Sequence, residues 1–105
     1  MGRRLENLIF LHLRRKYKHI FYYKDKGECD FITMGKNTVK EAIQVCLTIN
    51  DENFDREFNG LLGAMQNLGL KEGYIVTLNQ RDLFEKGDMT IKMLPVHDFF
   101  EIIVL

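Results

Sequence analysis

The sequence predicts a single α/β domain in which helices cover both faces of a mixed sheet. Residues 39–49, VKEAIQVCLTI, form an almost continuous apolar and β-branched run, which is typical of a central strand buried on both faces. Apolar residues recur with helical spacing in two segments, at about 3–17 and 54–68. Short polar links before the apolar run predict antiparallel neighbours, and the helical segment after it predicts a parallel crossover.

The composition is that of a globular, water-soluble domain. Of the 105 residues, 46% are hydrophobic and 29% are charged, with one Pro and no low-complexity tract, so residues 1–105 are expected to form one domain. No apolar run approaches the roughly 18 residues of a membrane span, which predicts a cytoplasmic protein without a membrane partner. Cys29 and Cys46 match no metal-binding motif and are expected to stay unpaired in a reducing compartment.

Turn and cap residues divide the chain into elements. Asn50 to Asn53 supplies helix-cap candidates, and Leu68-Gly69-Leu70 fits a helix that ends at a glycine. We expect 39–49 to be the most buried strand, antiparallel to 28–34 and parallel to 74–78. Residues 79–88 are interpreted as a polar turn region. The predicted elements are a helix at 3–17, strands at 19–25, 28–34 and 39–49, a helix at 54–68, strands at 74–78 and 90–94, and a short helix at 97–102.

The basic residues concentrate near the N-terminus although the formal net charge is zero. Residues 1–26 carry a formal charge of +6, and the remaining residues carry −6. A basic face of this kind suits a phosphate backbone, and a solvated helix face is the commoner reason for such a run. The candidate nucleic-acid contacts are Arg14, Arg15, Lys16 and Lys26.

Polar residues interrupt the two strands that are expected to pair. Side chains alternate along a strand, so Glu28 shares a face with Asp30, and Gln44 shares a face with Cys46. If the strands pair, these four groups meet at one point of the sheet, and Cys29 points away from them. A buried Gln44 amide also requires hydrogen-bond partners.

This order of elements and polar residues resembles the PD-(D/E)XK nuclease superfamily. The resemblance implies a restriction-endonuclease-like fold, a three-layer α/β/α sandwich with a mixed central sheet. It also implies that Glu6 stands at the acid of the first helix, Asp30 at the metal-binding Asp, Gln44 at the second acidic site and Cys46 at the Lys. In that superfamily the carboxylates hold magnesium near a phosphodiester, and the Lys helps to orient the attacking water.

Within that superfamily, the chain resembles the C-terminal domain of a family of bacterial and archaeal AAA-type ATPases. In those proteins a nuclease-like domain follows an ATPase core. The chain contains no GxxxxGK[ST] phosphate loop, so the sequence as given predicts no P-loop ATP hydrolysis and would be a fragment or a free-standing remnant. The segments that carry this resemblance are RRLENLIFLHLRR, GECDFI, AIQVCLTI, FDREFNGLLGAMQNLGLKEGYIVT and IKMLPVHDFF.

Departures from the nuclease pattern lead to two functional expectations. Gln44 brings no negative charge to a divalent ion, and Cys46 cannot replace an ammonium group. The first expectation is a non-catalytic, nuclease-like interaction domain that uses no cofactor and binds DNA, a partner protein or a second copy of itself. The alternative is a magnesium-dependent DNA nuclease with a degenerate site, in which Asp30 and Glu6 hold the metal weakly and Lys26 substitutes for the missing cation. Arg56 and Glu57 are assigned to an exposed, charged helix start.

Overall fold

Six strands form one mixed sheet, and three helices pack against it, in the part of the chain that the structure describes. The structure is a computed structural model that describes residues 2–25 and 27–102. In chain order the elements are α1 (Gly2–Lys16), β1 (His19–Lys24), β2 (Glu28–Met34), β3 (Val39–Val45), α2 (Phe54–Leu68), β4 (Glu72–Thr77), β5 (Asp82–Lys86), β6 (Met89–Pro95) and α3 (Val96–Ile102).

The strand order β1-β2-β3-β4-β6-β5 confirms the predicted pairings of the central strands. β3 is antiparallel to β2 and parallel to β4, on the other side of the crossover through α2. β1 pairs with β2 in antiparallel fashion, which completes the predicted meander. β6 is parallel to β4 and antiparallel to the edge strand β5.

Two strand predictions are wrong. The expected turn region 79–88 contains the edge strand β5. An edge strand needs few apolar residues because solvent reaches its outer edge and one of its faces. Leu83 of β5, for example, is 56% exposed. β4 rather than β3 is the more buried strand, with five of its six residues buried against four of seven in β3. β3 also ends at Val45, although the Cys46 N–H still donates to the carbonyl of Val76 at 3.0 Å.

Helices lie on both faces of the sheet, so each face covers its own apolar cluster. Along β3, Ala42 belongs to the cluster beneath α2, and its neighbour Ile43 belongs to the cluster beneath α1 and α3. The first cluster contains Cys29, Ile32, Ala42, Leu61, Leu62, Ala64, Met65, Ile75, Ile91 and Met93. The second contains Leu5, Ile9, Leu13, Ile43, Val45, Tyr74, Val76 and Phe99. None of the described helices is long and apolar enough to cross a membrane.

The two ends of α2 bear out the predicted glycine stop and the predicted position of the N-cap, which is Asn53. Gly69 ends the helix in the left-handed conformation, with φ 71°, and its N–H donates to the carbonyl of Met65. Asn53 makes no side-chain cap hydrogen bond. Its amide binds the preceding loop instead, accepting from the N–H of Asn50 at 2.9 Å and donating to the carbonyl of Thr48 at 2.8 Å.

The first half of α2 approaches β2 so closely that one position must be glycine. A Cβ on Gly60 would lie 2.2 Å from the carbonyl oxygen of Glu28 and 3.0 Å from Nε2 of Gln44. Both are groups in the sheet, and the Glu28 oxygen is backbone that cannot rotate away. Gly60 therefore fixes the distance between α2 and the strands that carry the candidate site.

We expect Gly60→Ala to lower the free energy of unfolding by about 1–3 kcal/mol, the usual range for overpacking a tight contact. Gly63→Ala on the same helix is the matched control, because a Cβ there meets nothing within 4 Å. This control should be neutral or stabilise by up to about 1 kcal/mol, since alanine has the higher helix propensity. Urea unfolding followed by circular dichroism measures both, and equal stabilities of the two variants would contradict the close approach.

Candidate functional site

The side-chain amide of Gln44 joins β2, β3 and α2 at one buried point. Gln44 is 2% exposed, and its Oε1 accepts the backbone N–H of Asp30 at 3.0 Å. Its Nε2 donates to the carbonyls of Glu28 at 2.8 Å and Glu57 at 3.0 Å. The prediction that a buried Gln44 needs partners is confirmed, and the amide uses its acceptor and both donors to satisfy backbone groups.

The Asp30 carboxylate lies at the carboxyl end of β3, where its Oδ2 accepts the backbone N–H of Val45 at 2.8 Å. Burial raises the pKa of Asp30 to about 6 from its ordinary value of 3.8. The Val45 hydrogen bond opposes this rise, and the negative charges of Glu6, Glu57 and Glu28 add to it. Asp30 is thus a carboxylate in an environment that is both partly dry and negatively charged.

A β-bulge in β2 places Asp30 at this position. Phe21 of β1 pairs with Ile32 and Tyr23 pairs with Cys29, so two β2 residues stand opposite the single residue Tyr22. The extra residue breaks the alternation of side chains, and Cys29 enters the apolar cluster beneath α2, on the same side as Gln44. The prediction that Cys29 points away from that face is therefore wrong. Both cysteines are free.

Glu57 is a member of the site that the sequence analysis assigned to an exposed helix start. Its side chain is only 16% exposed, and burial raises its pKa. Arg56 next to it is 75% exposed and reaches back to the Glu57 carboxylate at 3.4 Å. The sequence did contain a signal, because Glu57 precedes the buried Leu61 by four residues and so lies on the same side of α2.

Glu6 and Cys46 complete the group of residues at this end of the sheet. Glu6 on α1 lies close enough for its charge to raise the pKa of both Asp30 and Glu57. The Cys46 thiol donates to the carbonyl of Thr48 at 3.3 Å, and burial followed by the charge of Glu57 raises its pKa, so it stays protonated near neutral pH. The structure therefore places Glu6, Asp30, Gln44 and Cys46 near one another at this end of the sheet, together with Glu57.

Asp30, Gln44 and Glu57 border a cleft of about 810 Å³ between the start of β2 and the first half of α2. Four of the side chains that line it are acidic and one, Arg56, is basic. Its negative potential opposes the approach of a phosphate unless a cation is present. The lining residues are Gly27, Glu28, Asp30, Gln44, Asp55, Arg56, Glu57, Asn59, Gly60 and Gly63.

Gln44 and Cys46 contribute no charged oxygen ligand for a magnesium ion. The Gln44 oxygen is already occupied by the Asp30 N–H, and the protonated Cys46 thiol is a poor ligand for a hard cation. Within residues 2–25 and 27–102, no group of three or more His, Cys, Asp or Glu side chains is arranged to hold a metal ion.

The basic candidates lie away from this cleft. Arg14, Arg15 and Lys16 are exposed in the last turn of α1, eight to ten residues after Glu6, which corresponds to about 12–15 Å along the helix. Lys26 lies outside the described residues. The structure therefore separates the acidic cleft from these three basic residues.

This α/β domain is similar in sequence to an archaeal protein. The chain is 42% identical over 92 residues to the uncharacterized protein MJ1544 of Methanocaldococcus jannaschii, and the match covers 81% of this chain. It covers 20% of that protein, so the chain spans about a fifth of the length of its relative. No family model matches the chain. No solved structure matches it either.

The raised pKa of Asp30 predicts a pH-dependent stability. Between about pH 4 and pH 6 the folded protein binds the Asp30 proton more tightly than the unfolded chain does, so stability should fall as pH rises through this window. Asp30→Asn retains an acceptor for the Val45 N–H and removes the charge, so its stability should fall less. Urea unfolding at pH 4, 5, 6 and 7 measures this difference, with the exposed Asp51→Asn as the control. Parallel profiles for wild type and Asp30→Asn would count against a perturbed Asp30.

Proposed function

We propose that this chain is a restriction-endonuclease-like domain of the PD-(D/E)XK type that no longer cleaves nucleic acid and serves as an interaction domain. The order of elements supports it: a helix with Glu6, a meander with Asp30, a buried polar residue at 44 and a second helix. A match to one fifth of a longer archaeal protein agrees with a domain derived from a larger chain, for which we propose the C-terminal part of an AAA-type ATPase.

The hydrogen bonds of Gln44 carry the proposal. At the position of the second acid, the proposed site has a neutral amide whose three hydrogen bonds all go to the backbone. A metal at this point would have to displace the Asp30 N–H and would gain no negative charge in return. The residue acts as a structural link between two strands and a helix, in a place where nuclease chemistry needs a charged ligand.

The position that corresponds to the catalytic cation supports the same conclusion. Cys46 offers a protonated thiol, which cannot orient a water or stabilise a developing negative charge as an ammonium does. Arg56 is the basic residue among those that line the cleft, but it is 75% exposed and directed to Glu57. Among the described residues, the cleft therefore has carboxylates without a cation positioned as phosphodiester cleavage requires.

A metal-dependent nuclease with a degenerate site is the second candidate, and one observation favours it. Glu57 brings a half-buried carboxylate to the neighbourhood of Asp30 and Glu6, which replaces the charge lost at Gln44. In this case Glu57 and Asp30 would be the metal ligands, and both would be required for cleavage.

We expect the purified protein to cleave neither supercoiled plasmid, single-stranded DNA nor RNA. The assay contains about 10 mM Mg²⁺ or Mn²⁺, which is enough to occupy a weak site for a hard cation. Gel electrophoresis after long incubation is the measurement, and calorimetric titration with Mg²⁺ should give no binding heat. Cleavage that disappears in both Asp30→Ala and Glu57→Ala would refute the proposal and establish the second candidate. Cleavage that persists in both variants would identify a contaminating nuclease.

Restoring the nuclease pattern by Gln44→Glu with Cys46→Lys should destabilise the domain rather than activate it. A carboxylate at position 44 would face the carbonyls of Glu28 and Glu57 and would lose both donated hydrogen bonds. Leaving a buried acceptor unsatisfied costs about 1–3 kcal/mol. Urea unfolding of Gln44→Glu alone measures this cost, and unchanged stability would show that the amide hydrogen bonds contribute little to the fold.

A further inference from the structure

A second concave surface lies where the end of α1 and the start of β1 meet the β2–β3 turn. It encloses about 440 Å³, and its rim carries cationic side chains from two separate parts of the chain. We refer to it as the basic pocket. Its lining residues are Lys16, Tyr17, Lys18, His19, Met34, Gly35, Lys36 and Asn37.

The lysines of the basic pocket have no carboxylate partners among the described residues. Lys16, Lys18 and Lys36 are exposed, and none of them makes an ion pair within residues 2–25 and 27–102. Elsewhere on the surface, five Lys or Arg side chains each pair with a carboxylate of the described residues. Those paired with a neighbouring carboxylate are Lys24, Arg56, Lys71, Arg81 and Lys92.

The β2–β3 turn adds a further lysine beside the pocket. Thr33 pairs with Glu41 and Met34 pairs with Val39, so Lys40 is the extra residue of a bulge. Its aliphatic stem lies against Gly35, where an added Cβ would come within 2.6 Å of the Lys40 Cε. Because Gly35 has no side chain, the Lys40 side chain has room to cross the turn.

A hydrogen bond between the two parts of the chain holds the pocket together. The Tyr17 hydroxyl donates to the Glu41 carboxylate at 2.5 Å, and the Thr33 hydroxyl donates to the same oxygen at 3.3 Å. Burial, followed by the Glu41 hydrogen bond, raises the pKa of Tyr17, so the hydroxyl remains a donor. Glu41 is thereby engaged by two hydroxyl donors that belong to separate parts of the chain.

We propose that the basic pocket binds the phosphate backbone of nucleic acid. Unpaired ammonium groups on two sides of a concave surface suit a negatively charged chain that passes between them. A flat bilayer would not enter such a pocket, and the apolar side chains that line it, Tyr17 and Met34, are half-buried rather than available for insertion. Because the net charge is zero, the attraction must come from this local surface.

The location distinguishes this surface from the cleft of a nuclease. β2 begins beside the acidic cleft with Glu28 and Asp30 and ends at the pocket with Met34, so the two concave surfaces lie at opposite ends of the same strand. The inference rests on the proposed interaction role and names the partner that this role leaves open. It does not require the acidic cleft to contact nucleic acid.

The test measures binding of a fluorescently labelled DNA duplex of about 20 base pairs by fluorescence anisotropy. Binding is compared at about 50 and 200 mM KCl, a range over which phosphate contacts weaken strongly. About four phosphate contacts predict roughly 100-fold weaker binding at the higher salt concentration, because each contact releases counterions. Absence of binding at 50 mM KCl would overturn the inference.

Charge reversal locates the surface. Lys18→Glu with Lys36→Glu should weaken binding at 50 mM KCl by at least about tenfold and should lower the salt slope by about 2. Lys71→Glu with Lys86→Glu makes the same change in net charge towards the β5 edge and should leave affinity within about twofold, since charges beyond a Debye length are largely screened. Equal losses in the two double variants would mean that net charge alone governs binding and would overturn the assignment to the pocket.

Two further arms separate this inference from the proposed loss of catalysis. Binding to vesicles of phosphatidylserine and phosphatidylcholine without binding to DNA would replace nucleic acid by a membrane surface. Cleavage of the bound duplex by the unmodified protein would overturn the loss of catalysis while leaving the pocket assignment intact.

Discussion

The buried amide of Gln44 is the interaction on which this end of the fold depends. It connects two strands to a helix through backbone groups that would otherwise be unsatisfied in a dry environment. Such a position requires a side chain with one acceptor and two donors, and a carboxylate offers only acceptors. Under the proposed nuclease-like fold, the amide that satisfies these backbone groups would therefore stand at the position where a charged metal ligand is expected.

The hydrogen bonds of Gln44 depend on the absence of a side chain at Gly60. The amide can reach the carbonyl of Glu57 only because α2 comes close to β2, and α2 comes close only because position 60 has no Cβ. This approach also turns the Glu57 side chain towards Asp30, where burial and like charges raise the pKa of both carboxyls. The electrostatics of the cleft thus follow from the distance between one helix and one strand.

The features predicted correctly from sequence were those set by local chemistry. An apolar run at 39–49 and a glycine stop at Gly69 were enough to predict the central pairings and the end of α2. Strand parity brought Asp30 next to Gln44 because these two residues lie on neighbouring antiparallel strands.

The failures have physical reasons of their own. β5 was missed since an edge strand buries little apolar surface, and Cys29 was placed on the wrong face because a bulge shifts the alternation by one residue. The partners of Gln44 and the burial of Glu57 depend on how closely α2 packs, which no periodicity encodes. The basic pocket joins Lys18 to Lys36 across 18 positions of sequence, and that proximity exists only in the folded meander.

The acidic cleft and the basic pocket place opposite charges at the two ends of β2 in a molecule whose formal net charge is zero. Carboxylates line the cleft at the start of the strand, and lysines line the pocket at its end. In the field of a charged body, opposite charges separated in this way experience a torque even where the net force is small. If the pocket binds a polyanion as we propose, this torque would orient the molecule before contact, with the cleft directed to the solvent.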